Sequence, residues 1–204
     1  LRAGTFAPDP GAIIALAGGG PSGIALDEAR GRAYVLTRFD DGVSVVDLGS
    51  RAEVAHLRLH DAEPAHVRAG RPLFYDARLS SSNGEATCAS CHVSGDVDGV
   101  AWDLGNPDLS VVPNPIPIRV AEGSFDPSFH PLKGPMTTQT LRGIADSGAM
   151  HWRGDRNAAS DPGGDPFDPR GALLKFKPAF VSLLGRASDV SDAEMDALAD
   201  FLLD

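Results

Sequence analysis

The strongest constraint on this chain is the stretch CASCH at residues 88–92, which contains both cysteines of the 204-residue sequence. Cys88 and Cys91 are three positions apart, and His92 follows the second cysteine directly. Closely spaced cysteines occur in metal sites, in redox-active thiol pairs and in covalent attachment sites. Each of these alternatives makes a different demand on the rest of the sequence.

Two of the alternatives lack what they need. A zinc or iron–sulfur site uses about four protein ligands, and the chain has no second cysteine pair. A thioredoxin-like pair begins a helix that follows an apolar strand, whereas the preceding stretch RLSSSNGEAT is polar and typical of a loop.

The remaining alternative is the Cys-x-x-Cys-His attachment signature of a c-type haem. Two thiols at this spacing add to the two vinyl groups on one edge of the porphyrin, and the imidazole that follows reaches under the ring to the iron. The motif therefore predicts one haem c per chain, bound by Cys88 and Cys91 with His92 as an iron ligand. A buried disulfide, or two free thiols beside an incidental histidine, is the alternative without a cofactor.

The charge of the chain narrows the class of partner. The formal net charge is −10 and no Lys/Arg-rich run is present, which argues against nucleic acid as a partner. A negative surface suits a basic redox protein or a larger redox complex. No stretch reaches the roughly 18 apolar residues of a membrane helix. Because haem c is attached outside the bacterial cytoplasm or in organelles, we expect a periplasmic or other extracytoplasmic bacterial location, with a leader removed or the chain forming part of a longer one.

The hydrophobic pattern divides the chain into a small sheet (1–60) and a mainly helical domain (61–204), which is an α+β fold. Asp41-Gly42 is a strong hairpin signal, and we expect an antiparallel meander with strands at 23–27, 32–38, 43–48 and 53–59. In the second domain we expect an extended segment at 105–120 and helices at 62–80, 137–146, 173–185 and 191–203.

The last of these helices has the clearest signals. Ser191 and Glu194 form a capping box, and apolar residues from Met195 to Leu202 follow helical spacing. Met195 is therefore expected in the core rather than at the iron. The first and last helices of the domain are predicted to cross and close the haem crevice, with Phe74 and Leu198 in contact.

Residues 21–48 resemble one blade of a YVTN-type β-propeller, through PSGIALD, GRAYV and VSVVDL. The resemblance implies that the rest of a propeller is a partner of this sheet, because one blade can neither close a ring nor bury both of its faces. A small sheet of no particular type is the alternative.

Residues from about 65 to 204 resemble a haem domain of the di-haem cytochrome c peroxidases. Three segments carry the resemblance, in the family's order: GRPLFYDARLSSSNGEATCASCH, TTQTLRGIADSGAMHWRGD and SDAEMDALADFL. The resemblance implies a covalent haem and redox chemistry. Two departures matter: the chain has one Cys-x-x-Cys-His motif where those peroxidases have two, and Leu184 stands where the family carries a methionine iron ligand.

The sixth iron ligand must then come from elsewhere or be absent. Methionine and histidine are the residue types to consider, and we favour Met150, with His151 and Met136 as alternatives. Arg142 and Arg153 are candidate partners for the haem propionates, with surface ion pairs as the alternative. Trp102 is expected to pack near the haem edge.

Two acidic loops, at 94–99 and 160–169, do not match a twelve-residue calcium loop, so solvated turns are expected and calcium is the alternative. The function that we expect is electron transfer by a single six-coordinate haem. The alternatives are a haem enzyme of the peroxidase type with an open or displaceable sixth site, and a structural module.

Overall fold

A computed structural model of the chain describes residues 10–103, 118–120, 123–125, 135–151 and 156–204. It divides into two compact units, Leu1–Pro64 and Ala65–Asp204. Among the helices in the described residues, none is both long and apolar enough to cross a membrane. The sheet followed by helices confirms the α+β class.

The first unit is a four-stranded antiparallel meander in the order β1-β2-β3-β4. Its strands are Pro21–Asp27, Arg32–Thr37, Gly42–Asp47 and Ala52–Arg58. Asp41, in the β2–β3 turn, has a φ of +48°, a conformation that Asp tolerates better than most residues. The predicted strands and hairpin are confirmed, because turn residues and β-branched runs encode them locally.

One face of this sheet shields polar side chains beside the buried Ala33 and Val46. The imidazole of His56 lies between Ser44, whose Oγ is 3.0 Å from Nδ1, and Asp40, whose Oδ2 is 2.6 Å from Nε2. Glu53 Oε1 lies 3.3 Å from Nδ1. Ser44 is fully buried, so this Ser–His–Asp contact cannot serve a substrate and instead ties β3 to β4.

The apolar residues of β4 and its flank point the other way. Val54, Leu57 and Leu59 are 52%, 57% and 49% exposed, while Glu53 and His56 are the shielded residues of this strand. The apolar side chains of β4 and its flank therefore lie on the open side of the sheet.

The second unit is less helical than expected. Its helices are α1 (Ala65–Tyr75), α2 (Ala77–Ser80), α3 (Cys88–Cys91), α4 (Pro169–Leu174), α5 (Ala179–Ser182) and α6 (Asp192–Leu203). Its short strands are β5 (Ala101–Trp102), β6 (Ile118–Val120), β7 (Gly123–Phe125) and β8 (Met136–Thr137), with β5 paired to β8 and β6 to β7. Most of the predicted extended segment 105–120 lies outside the described residues.

Three predicted helices need correction. The helix predicted over 62–80 is interrupted at Asp76, whose side chain accepts from Arg78 N and caps α2. The helix predicted over 173–185 is two short helices, and Pro178 stands at the start of the second. The helix predicted over 137–146 is wrong: β8 is followed by irregular chain and a 3₁₀ turn at Ile144–Asp146.

The predicted crossing of the first and last helices is confirmed. Gly70 of α1 lies so close to α6 that a Cβ at this position would be 2.1 Å from Ala197 O. The first core cluster includes residues from both crossing helices. Its members are Leu73, Phe74, Phe180, Val190, Met195 and Leu198. Phe74 and Leu198 belong to the same cluster, as expected, and Met195 lies in it as a core residue.

A second core cluster on α6 consists of Ile144, Leu173 and Ala199. An ion pair reinforces this side, since Arg170 at the start of α4 donates to Asp200 at 2.7 Å and to Asp196 at 3.1 Å. The two acceptors are one helical turn apart, so one guanidinium spans both. Ser191 and Glu194 cap α6 as predicted.

The crossing predicts that Gly70→Ala destabilises the second unit. Alanine normally favours a helix interior over glycine by up to about 1 kcal/mol, but here its methyl group would overlap a backbone carbonyl that cannot move aside. We expect a net loss of about 1–3 kcal/mol in the free energy of unfolding. Denaturant unfolding followed by far-UV circular dichroism measures it.

The matched control is Ala69→Ser, at the exposed neighbouring position of α1. It should change stability by less than about 0.5 kcal/mol. A Gly70→Ala variant as stable as its parent would show that the helices can separate without loss.

Candidate functional site

The Cys-x-x-Cys-His motif forms the short helix α3, and its start is tied to α1. The Thr87 hydroxyl donates to the carbonyl of Phe74, and Ser80 Oγ donates to Leu73 O at 3.0 Å. Ser90 Oγ accepts from the Thr87 backbone at 3.1 Å and caps the helix from within. These polar contacts hold the motif against the helix that crosses α6.

Both thiols are free in this structure, and both are weakly acidic. Burial raises the pKa of Cys88 to about 11, and it also raises the pKa of Cys91, with a further contribution from Asp98. Redox-active pairs need a lowered pKa to present a thiolate. The environment of α3 therefore opposes the thioredoxin-like alternative.

His92 is oriented by one long-range hydrogen bond. Its Nδ1 lies 2.8 Å from the backbone oxygen of Gln139, 47 residues away. Burial lowers the pKa of the imidazole, although Gln139 and Asp98 act in the opposite direction. A neutral ring that donates Nδ1–H to a carbonyl carries its lone pair on Nε2, which is how metal-binding histidines are commonly prepared.

The carbonyl of Gln139 belongs to a segment, residues 135–142, that we call the proximal strap. Backbone bonds join the strap to the loop after the motif: Thr138 N donates to Val100 O at 3.3 Å, and Leu141 N donates to Gly95 O at 2.8 Å. Because these groups bond outside the segment, they are unavailable for a helix. This explains why the helix predicted over 137–146 does not form.

Two thiols on one helical turn and a histidine with Nε2 prepared as an acceptor fit a c-type haem. The thiols at i and i+3 share a face of α3, and the strap fixes the imidazole. Leu184 and Cys88 both pack against the first core cluster, so Leu184 borders the same apolar region as the motif.

The candidate sixth ligands lie in different surroundings. Met150 packs against the second core cluster, and Leu141 of the strap contacts both clusters. His151 has a φ of +70°, and its ring meets that of Phe176 edge-on at 5.6 Å. Met136 lies in β8, opposite Trp102 of β5. None of these facts assigns a ligand, so the sixth position stays a prediction.

The remaining predicted site residues are Arg142, Trp102 and Arg153, of which the structure describes the first two. Arg142 is 63% exposed and contacts Ser94 O at 3.1 Å and Asp96 at 3.6 Å, so its guanidinium already has partners at the surface. Trp102 is 41% exposed and donates Nε1–H to Asp98 at 2.7 Å. Arg153 lies outside the described residues.

Carboxylates of the acidic loops accept bonds from the protein itself. In the first loop Asp96 accepts from Val97 N, and Asp98 accepts from Val100 N and Trp102. In the second, Asp161 pairs with Lys175 at 2.6 Å and Asp168 caps α4. These partners favour the interpretation as hydrogen-bonded turns over calcium sites.

The contributions of the strap and of Asp98 are not evident from the sequence. The acceptor for His92 is a backbone oxygen, which carries no mark in the side-chain sequence. In the sequence, Asp98 stands out only as a possible calcium ligand. The indole of Trp102, four residues later, is the one signal that could have indicated a hydrogen bond to its carboxylate. Two buried guanidinium groups, those of Arg71 and Arg156, also escape the sequence pattern.

Comparison with known proteins agrees with this site. Residues 64–170, just over half of the chain, match the family model of the di-haem cytochrome c peroxidases. The match includes the motif, the strap and the start of α4, which confirms the resemblance seen in the sequence; it does not extend to the propeller-like sheet. No curated protein and no solved structure matches the chain significantly.

The raised thiol pKa values predict slow alkylation of the haem-free protein. At pH 8 both cysteines should react with iodoacetamide more slowly than in urea, where thiols have a pKa of about 8.5. The rate at Cys88 should keep rising as the pH approaches about 11, because only the thiolate reacts. Peptide mass spectrometry resolves the two sites.

The unfolded chain in urea serves as the control for intrinsic reactivity. Faster alkylation of either cysteine in the folded protein at neutral pH would reveal an activated thiolate and revive the redox-pair alternative.

Proposed function

Because the chain belongs to the di-haem cytochrome c peroxidase family, whose members bind haem, we propose that it is an electron-transfer protein with one covalent c-type haem. The bond from His92 to Gln139 carries this proposal: it prepares Nε2 for iron beside two thiols suited to attachment. The single Cys-x-x-Cys-His motif supports one haem per chain.

Each residue of the motif has a separate role. Cys88 and Cys91 would hold the porphyrin through thioether bonds, and His92 would supply a nitrogen ligand to the iron. When bound, the haem exchanges one electron between its ferric and ferrous states. The protein sets the ligands, the polarity and the access of solvent; it does so through the strap on the histidine side and the apolar core beside Cys88.

We propose Met150 as the sixth ligand, with His151 and Met136 as the alternatives. Leu141 links the strap to the cluster on which Met150 packs, which brings a half-buried thioether toward the part of the unit that contains His92. Leu184 has no atom that can bind iron. A methionine ligand would also raise the reduction potential relative to histidine, because it favours the ferrous state.

The second candidate function is a peroxidase-type reaction, and Leu184 is the residue that supports it. If no other residue replaces the missing methionine, the iron has an open position bordered by an apolar side chain, and a peroxidase-type reaction becomes accessible. Such a reaction also needs acid–base groups beside the open position. The resembled peroxidases use two haems, whereas this chain has one attachment motif, and we therefore place electron transfer first.

The cellular setting follows from haem attachment and charge. We propose an extracytoplasmic bacterial location, since c-type haem is attached outside the bacterial cytoplasm, and a basic redox protein as partner of this acidic chain. The open apolar side of the meander supports its role as one blade among others. We propose no calcium site, because the loop carboxylates have protein partners.

Covalent attachment tests the core of the proposal. The chain made in a host that attaches haem c should keep its haem through acid–acetone extraction, and mass spectrometry should locate it on the peptide with Cys88 and Cys91. The double variant Cys88→Ala/Cys91→Ala should lose covalent haem altogether, while Ser90→Ala, which leaves both thiols intact, should retain it. Haem that resists extraction in the double variant would refute the assignment.

The sixth ligand separates electron transfer from peroxidase chemistry. A thioether on ferric haem gives a weak charge-transfer band near the red edge of the visible spectrum, which an imidazole does not. Met150→Ala should abolish this band, lower the potential and open the ferrous iron to carbon monoxide, whereas His151→Ala should change none of these.

The opposite pattern would make His151 the ligand. A parent protein that already binds carbon monoxide rapidly would contradict six-coordinate iron and favour the peroxidase alternative.

A further inference from the structure

The side chain of Asp98 is unusually well held for a loop residue. Trp102 Nε1 donates to its Oδ2 at 2.7 Å, and Val100 N donates to its Oδ1 at 2.9 Å. The hydrogen bond from Trp102 is the largest of several that lower the pKa of this carboxyl, and Thr138 of the proximal strap contributes another. Asp98 therefore presents a fixed negative charge at neutral pH.

That charge lies beside the residues of the motif. The loop of Asp98 is joined to the strap by the β5–β8 pairing of Ala101 with Thr137 and by the bond from Thr138 N to Val100 O. The next residue of the strap, Gln139, holds His92. The negative charge of Asp98 helps to raise the pKa of Cys91 and acts in the same direction on the pKa of His92, against the effect of burial.

The other charged side chains of the loop and the strap, Asp96 and Arg142, lie close to each other. Arg142 is directed at Ser94 O and Asp96, so the nearest described cation of the strap engages the other acid of the loop. Asp96 is 41% exposed and is shielded by solvent as well as by Arg142. The strap bonds to both acids of the loop, through Thr140 to Asp96 and through Thr138 to Asp98, but only Asp98 is also held by an indole.

We propose that Asp98, held by Trp102, is a charge-positioning residue that lowers the reduction potential of the haem iron. The inference rests on the proposed function, since it requires the haem on Cys88, Cys91 and His92. Reduction brings one electron from the redox partner to ferric iron and breaks no bond. It removes one positive charge from the centre, and a nearby fixed anion favours the oxidised state.

The size of the effect can be bounded. A unit charge about 10 Å from a redox centre, at an effective dielectric constant of about 20 to 40, changes a one-electron equilibrium by about fourfold to fifteenfold. Trp102 would then have a defined role, because its N–H holds the carboxylate in one orientation. This accounts for an indole that is 41% exposed yet hydrogen-bonded.

The test is a redox titration of the haem-loaded full chain and its variants. Asp98→Asn keeps an oxygen acceptor for Trp102 but removes the charge, so the ratio of ferrous to ferric protein at a fixed applied potential should rise at least about fourfold. Asp96→Asn removes the same charge from the same loop and should change the ratio by less than about twofold, because that acid is exposed and paired.

Trp102→Phe adds a second, independent variant. It leaves the charge in place but frees the carboxylate, so the ratio should rise by less than in Asp98→Asn. Ferric and ferrous spectra must match the parent in each variant, which shows that iron ligation is unchanged. If Asp98→Asn fails to load haem, Trp102→Phe decides alone: a higher ratio supports the proposal and an unchanged ratio overturns it.

The possible failures are distinguishable. A parent chain without covalent haem refutes the proposed function and this inference together. A haem-loaded chain in which Asp98→Asn shifts the ratio no more than Asp96→Asn does, or shifts it toward ferric iron, refutes the role of Asp98 alone.

Discussion

The hydrogen bond between His92 Nδ1 and the carbonyl of Gln139, at 2.8 Å, is the contact on which the site depends. Without it the imidazole could rotate about its side-chain bonds, and either nitrogen could carry the proton. With it, Nε2 is fixed as the acceptor. The extended strap that provides this carbonyl is in turn held by the loop after the motif, so the histidine, the loop and the strap form one connected unit.

The apolar core supports this arrangement from the other side. Cys88 and Ala89 pack against a cluster built largely from α1 and α6, whose close approach requires Gly70. The family match ends at residue 170, yet α6, at Asp192–Leu203, supplies Met195 and Leu198 to the cluster. The last helix therefore completes a core that the matched segment could not close by itself.

The two units shield different kinds of side chain from solvent. The second has a conventional apolar core, whereas the sheet of the first shields a hydrogen-bonded group of Ser44, His56 and Asp40 and leaves much of its apolar surface open. Buried polar groups must find partners, and here one imidazole lies within hydrogen-bond distance of a hydroxyl on one side and a carboxylate on the other. Exposed aliphatic side chains on a small sheet are also what an isolated propeller blade would present, and the blade stays a prediction.

The sequence by itself determined the features that neighbouring residues encode. The spacing of Cys88, Cys91 and His92 indicates the cofactor, Ser191 and Glu194 mark the start of α6, and Asp41-Gly42 marks the hairpin, because each is a short-range geometric requirement. The tertiary structure alone decided that the predicted helix at 137–146 does not form, that the strap carbonyl of Gln139 orients His92 from 47 residues away, and that Trp102 holds the carboxylate of Asp98. A backbone acceptor looks the same at every residue, so only the folded chain reveals which one is used.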